Sequence, residues 1–197
     1  IRHMVFMHDG SSAPLERERL DKLAADRNWT VIEASESYRM LDCDGACLRW
    51  ELHTEFSSYT YFEPETVPAS EVHPHDADIG QWLDAIPGNL IVALRIDHHA
   101  AAAMNPEAAI AQWTASGQQM VASSIVDGRA LLMTDFQTHE NETRYVLIDS
   151  GMTPRQAGRT VQRIWEIETY RILALLGLHA ANAIRRWLRT SEEDLAS

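Results

Sequence analysis

The run Arg49-Trp50-Glu51-Leu52-His53-Thr54-Glu55 sets a guanidinium, a carboxylate, an imidazole and a second carboxylate at every other position. Side chains two residues apart in an extended strand project to the same side, so Arg49, Glu51, His53 and Glu55 are expected to share one face. Imidazole and carboxylate groups ligate divalent metal ions, and a carboxylate beside a histidine orients it for proton transfer. The competing reading is a solvated face laced with ion pairs, which is what a half-buried strand normally shows to water. Glu166, Glu168 and Arg171 form a second group. A helix carrying them across the strand face would raise the set to four carboxylates, with a divalent metal ion as the cofactor they would take. Glu168 and Arg171 lie three residues apart and can equally pair along a helix surface.

Other candidates are weaker. His73, His75 and Asp76 fall in a segment read as a loop, and His98 and His99 follow a strand end; neither group has a recognised metal-ligand spacing. The chain has no Gly-x-Ser-x-Gly elbow, Walker-type phosphate loop, Gly-x-Gly-x-x-Gly fingerprint or His-Glu-x-x-His helix. Arg155, Arg159 and Arg163 make a basic stripe at helical spacing. It suits anionic lipid headgroups, an acidic partner, or pairing within this acidic chain. Trp50, Trp82, Trp113 and Trp165 are read as core or subunit-interface residues, without a ligand role.

The elements that must position these groups are read from periodicity and turn chemistry. A strand over Arg2–Met7 leads through a turn at Gly10-Ser11-Ser12 to a helix from about Pro14 to Arg27, capped by Ser12, with Leu15, Leu20 and Leu23 on its apolar side. Tyr38–Leu41 and a long, bent Ala46–Phe62 form strands about the Asp44-Gly45 turn. Cys43 and Cys47 flank that turn; a bridge is within reach of a hairpin, and free thiols are the simpler reading. Glu63–Asp78 reads as a loop and Ile79–Ile86 as a short helix. Leu90–Ile96 is a continuous apolar run expected of a central strand covered on both faces. Asn105 caps a helix to about Ala115, Met120–Val126 and Arg129–Gln137 make a hairpin about Asp127-Gly128, and Thr143–Asp149 adds a strand. Thr153 caps a long final helix with Ala157, Val161, Ile164 and Ile167 on its apolar side; Gly177 is a place for it to break, and Ser191–Ser197 reads as a frayed end. The predicted fold is α+β: a mixed, largely antiparallel sheet with a ferredoxin-like, split βαβ front part, packed helices and a long C-terminal helix over residues 154–190.

With 197 residues, 45% of them hydrophobic, the chain has material for one α+β domain. Its net charge of −12 speaks against nucleic acid as a partner, since that affinity rests on cationic side chains displacing counterions. No stretch reaches the roughly 20 apolar residues of a spanning helix, and no signal peptide opens the chain, so the reading is of a soluble piece. A chain that opens directly in a strand suggests natural sequence upstream.

Two stretches carry a family resemblance: Arg49 to Thr60, reading RWELHTEFSSYT, and Gly151 to Arg171, with its GMTPRQAGR, VQR and EIETYR segments. They resemble the domain of unknown function 3422 family, bacterial proteins described as membrane-anchored. Thr134-Asp135-Phe136 followed by His139 resembles a third segment, so the likeness runs from about residue 3 to residue 180. Family members carry Leu-Gly-Leu-Pro where this chain has Leu176-Gly177-Leu178-His179, which makes a helix break there less expected. The resemblance implies a longer protein anchored by apolar helices beyond this chain, with residues 1–197 at the cytoplasmic face of the bacterial inner membrane. The leading expectation is a non-enzymatic domain that oligomerises, senses or recruits a partner, forming a homo-oligomer through the long helix. Two alternatives stay open: a divalent-ion transport domain with the layout of CorA-type magnesium channels, by architectural analogy, and a metal-assisted hydrolase built on Glu51, His53 and Glu55.

Overall fold

The computed structural model describes residues 1–7, 13–43, 45–63, 74–115, 119–139 and 142–195. Its strands are β1 (Arg2–Met7), β2 (Thr30–Ala34), β3 (Tyr38–Cys43), β4 (Ala46–Leu52), β5 (Phe56–Phe62), β6 (Asn89–Ala100), β7 (Val121–Ile125), β8 (Ala130–His139) and β9 (Glu142–Asp149). Its helices are α1 (Ala13–Arg27), α2 (Pro74–Asp84), α3 (Pro106–Ala115) and α4 (Pro154–Leu195). All nine strands join one sheet in the order β2-β3-β4-β5-β1-β6-β9-β8-β7, antiparallel except where β6 runs parallel to β9. Strands β4, β5, β1 and β6, with α1 and α2 as the crossovers, make the split βαβ unit. The meander β2–β3 extends one side and β9-β8-β7 the other, so the α+β reading with a ferredoxin-like front holds.

Three layers follow from the alternation of side chains. Met4, Phe6, Leu48, Trp50, Tyr59 and Tyr61 point from the front strands to Leu20, Leu23 and Ala24 of α1 and to Ile79 and Leu83 of α2. Val5, Phe56, Val92, Leu94, Ile96, Tyr145 and Leu147 point the other way, onto Val161, Ile164 and Trp165 of α4. Met133, Val146 and Ile148 form a smaller cluster beneath Ile110 and Trp113 of α3. Burying such side chains contributes about 1.5–3 kcal/mol each, which is why a sheet with apolar residues on both sides recruits helices to both.

Several sequence expectations are corrected. The long strand over Ala46–Phe62 is two strands: the His53 N–H donates to the Phe56 carbonyl at 2.8 Å, closing a turn at Thr54-Glu55. Strand β2 went unseen because every residue in it is exposed and nothing in its pattern marks a buried face. Helix α2 starts at Pro74, inside the segment read as loop, while residues 64–73 and the proposed Gly10-Ser11-Ser12 turn lie outside the described residues. Strand β6 is longer than Leu90–Ile96 and alternates rather than being covered on both faces, with Leu90 and Arg95 exposed. Leu15 and Ile167 are also exposed, at 63% and 66%, and leave the apolar sides assigned to them. Asp42 pairs with Cys47 and Cys43 with Ala46, and Cys47 is a free thiol.

Two caps stand as read. Asn105 Oδ1 accepts from the Ala108 N–H at 3.0 Å, and Thr153 forms a capping box with Gln156, whose Oε1 accepts the Thr153 N–H at 2.9 Å. Helix α4 then runs through Gly177 to Leu195 without a break, past the end expected to fray. Its 42 residues reach about 63 Å at 1.5 Å per residue.

Candidate functional site

Adjacent strands bring the first candidate group together. His3 of β1 and Arg49 of β4 both pair with Thr60 of β5, and Val5 and Glu51 both pair with Ser58, so His3, Arg49, Glu51 and Ser58 lie in neighbouring rows of one sheet face. Helix α4 crosses above them. Gln162, Trp165, Glu166, Thr169 and Tyr170 recur at the i, i+3, i+4, i+7 spacing of one helical side and form the roof. With the exposed His53 and the buried Phe56, these residues line an open cavity of about 100 Å³.

Trp165 organises it. Its indole stacks on the His3 ring at 5.3 Å and 13°, the Arg49 guanidinium carbon lies 4.9 Å from its ring centre, and Phe62 meets it edge-on at 5.9 Å. The cation over the indole face is a cation–π contact in a desolvated setting. Arg49 also reaches Glu51, with Nη2 2.8 Å from the carboxylate. His3 shares a 2.8 Å hydrogen bond between its Nδ1 and Thr60 Oγ1. Burial, reinforced by the nearby Arg49 and by His53, brings its pKa down to about 3, so the ring is neutral at physiological pH. The His53 ring stacks on Phe56 at 4.2 Å, and the Gln162 amide donates to Glu166 Oε1 at 2.8 Å. Two buried polar atoms here, Arg49 Nε and Thr169 Oγ1, have no hydrogen-bond partner.

Of the residues singled out from sequence, Arg49, Glu51, His53 and Glu166 meet in this cavity. Glu55 sits exposed in the β4–β5 turn and does not line it. Glu168 and Arg171 face the rear half of the sheet. Glu168 is 1% exposed and takes two hydrogen bonds from Arg171, at 2.6 and 3.0 Å, and one from the Tyr145 hydroxyl at 3.2 Å. Burial and the adjacent Glu168 push the Tyr145 hydroxyl pKa up, and the hydrogen bond to Glu168 raises that of Arg171. The pairing reading of Glu168 and Arg171 is the observed one, in a more buried form than a surface pair. His98 lies 3.5 Å from Asp149 on β9, away from the cavity. His73 lies outside the described residues, and His75 and Asp76 fall in α2. Arg155, Arg159 and Arg163 are exposed on α4.

Among the described residues, no group of three or more His, Cys, Asp and Glu side chains converges as a metal-ligand set. The strand face supplies a pocket in which one guanidinium is flanked by carboxylates. Sequence reasoning missed His3, Trp165 and Thr169. The signal for Trp165 was its place beside Glu166, three residues after Gln162; that for His3 was the alternation of β1, which sets His3 and Val5 opposite Met4 and Phe6.

The family model described as "Protein of unknown function (DUF3422)" matches residues 1–197, the whole length of the chain. The chain belongs to the DUF3422 family. No curated protein and no solved structure matches it. Both segments that carry the resemblance to DUF3422 contribute to the pocket: the first supplies Arg49, Glu51, His53, Phe56 and Ser58, the second Gln162, Trp165, Glu166, Thr169 and Tyr170.

Proposed function

We propose that this domain works by association, with the distal half of α4 packing against the same helix in other copies of the chain. One observation carries the reading. Every side chain described from Ala174 onward is exposed, and the large apolar ones point in several directions. Leu176 and Leu178 are 45% and 51% exposed, Ile184 57% and Leu188 48%. At 100° per residue, Ile184 and Leu188 share one side of the helix, whereas Leu176 and Leu178 fall on others. A helix with apolar side chains on several sides is stable where neighbours cover it, and large apolar side chains left exposed together on one element mark an interaction site. The arm extends about 33 Å beyond the last positions that pack on the sheet, at 1.5 Å per residue.

The same reading takes the domain as a non-enzymatic recruiting or sensing module at the cytoplasmic face of the bacterial inner membrane. The family likeness supports that location through its implied anchor. No helix among the described residues is long and apolar enough to cross a membrane, so the anchor in this proposal belongs to other parts of the protein.

Sedimentation velocity over a wide concentration range tests the association. Residues 1–197 are expected to form a discrete oligomer, and the Leu176→Ser/Ile184→Ser/Leu188→Ser variant to run as a folded monomer with an unchanged near-UV spectrum. A monomer at all concentrations for the unmodified chain refutes the reading.

A further inference from the structure

We propose that the pocket beneath α4 binds a small primary ammonium compound. Charge points that way first. The pocket holds two carboxylates, Glu51 and Glu166, against one guanidinium, and Arg49 is already committed to Glu51 at 2.8 Å and to the face of Trp165. Glu166 accepts from the uncharged amide of Gln162 and has no cationic partner among the described residues. An anion entering here would meet carboxylates while the one guanidinium is neutralised; a cation completes the charge balance.

The two orphaned buried atoms of the pocket ask for a ligand with both kinds of group: the Thr169 hydroxyl can accept from an ammonium, and Arg49 Nε, itself a donor, calls for an acceptor such as a hydroxyl carried by the same small molecule. Thr169 is 4% exposed, lines the cavity, and leaves its hydroxyl oxygen without a partner. A buried hydroxyl left unsatisfied costs free energy that a bound donor recovers. An ammonium group brings three N–H donors, which match the Thr169 hydroxyl and the carboxylates of Glu166 and Glu51. Phe56 and the exposed Tyr170 add aromatic surface to the lining, which attracts organic cations. A bare divalent ion fits less well, since no three ligating groups converge among the described residues. The cavity of about 100 Å³ is smaller than the roughly 150 Å³ closed site that accommodates benzene and opens to solvent, so the part of the ligand it holds is an ammonium head on a short stem.

Ethanolamine is the probe, with acetate and magnesium ion as controls, titrated by calorimetry into residues 1–197 at neutral pH. Saturable binding in the millimolar range or tighter is expected for ethanolamine, consistent with the affinity ceiling for so small a ligand. The Glu166→Gln variant, which keeps the shape and removes the charge, is expected to weaken it at least tenfold, and Thr169→Val to weaken it measurably, both with unchanged melting temperature. Three results each overturn the proposal: no saturable binding in the tens of millimolar, acetate or magnesium ion bound as tightly as ethanolamine, or an affinity unaltered by Glu166→Gln. The lining ends at Tyr170, whereas the exposed arm begins at Ala174, so the site is independent of self-association. A monomeric chain that binds ethanolamine refutes only the association, and an oligomer that does not bind refutes only the site.

Discussion

Acid should weaken this domain through His3 before most of its carboxylates protonate. The imidazole is 3% exposed, stacks on Trp165 and has a pKa near 3 in the folded chain, against about 6.5 when unfolded. A base whose folded pKa is depressed contributes its full stability above the unfolded value. Below about pH 6.5 the unfolded state takes up a proton that the native state refuses, and stability falls by up to about 1.4 kcal/mol per pH unit until the folded pKa is reached. Between pH 7 and pH 5 the loss attributable to His3 is about 2 kcal/mol, with the protonated fraction of the unfolded imidazole setting the figure. For a chain of this size that equals about 4–8 °C in melting temperature. The assay is urea denaturation of the natural chain and of His3→Phe at both pH values. Phenylalanine keeps the ring against Trp165 and carries no titratable group, so the comparison across pH removes the fixed cost of losing the bond to Thr60. The natural chain is expected to lose about 2 kcal/mol more than the variant on going to pH 5. Equal losses in the two proteins would mean that His3 titrates freely in the folded state, and the account of the pocket floor would fail.

Arg171→Met strands the carboxylate of Glu168 in a buried site. Because Arg171 is 40% exposed and water reaches the gap, the expected cost is about 2–3 kcal/mol rather than the full penalty for a buried pair; adding Glu168→Leu should recover most of it in thermal melts. Val126 holds a positive φ of 54° in the β7–β8 turn, a conformation β-branched residues rarely adopt. Val126→Asn should stabilise the domain by about 0.5–1 kcal/mol in chemical denaturation, and a loss of stability would show that Val126 makes a contact worth more than its strain.

The sequence made the strand face legible because period-two alternation is a local property: Arg49, Glu51 and His53 share a side wherever β4 lies. It did not reveal that Thr54-Glu55 is a turn, since neither residue is a strong turn former, and that turn removes Glu55 from the set. The helix contribution was half legible. Glu166 and Glu168 are two residues apart, about 200° around the axis, so a helix can present one of them to the cavity and must carry the other away. Which of them reaches the cavity depends on how α4 crosses the sheet, a tertiary fact fixed by Val161, Ile164 and Trp165. Strand β2, exposed throughout, has no burial pattern for periodicity to detect. The ferredoxin-like front was readable because the alternation of strands and helices there follows chain order, whereas the parallel β6–β9 pair joins segments nearly 50 residues apart.

The place of β1 has a consequence for how the molecule comes into being. The first strand of the chain lies between β5 and β6, and its partners are synthesised some 50 and 90 residues later. Met4 and Phe6 find α1 soon after they are made, but His3 and Val5 on the other side wait for α4, whose Val161, Ile164 and Trp165 come about 155 residues later. Six residues thus join a five-strand lattice, β2 to β5 with β1, to a four-strand one, β6 to β9; without them each part would present a raw hydrogen-bonding edge to the other and to neighbouring chains. Anything that captures the N-terminal segment early therefore controls whether the domain assembles as one body.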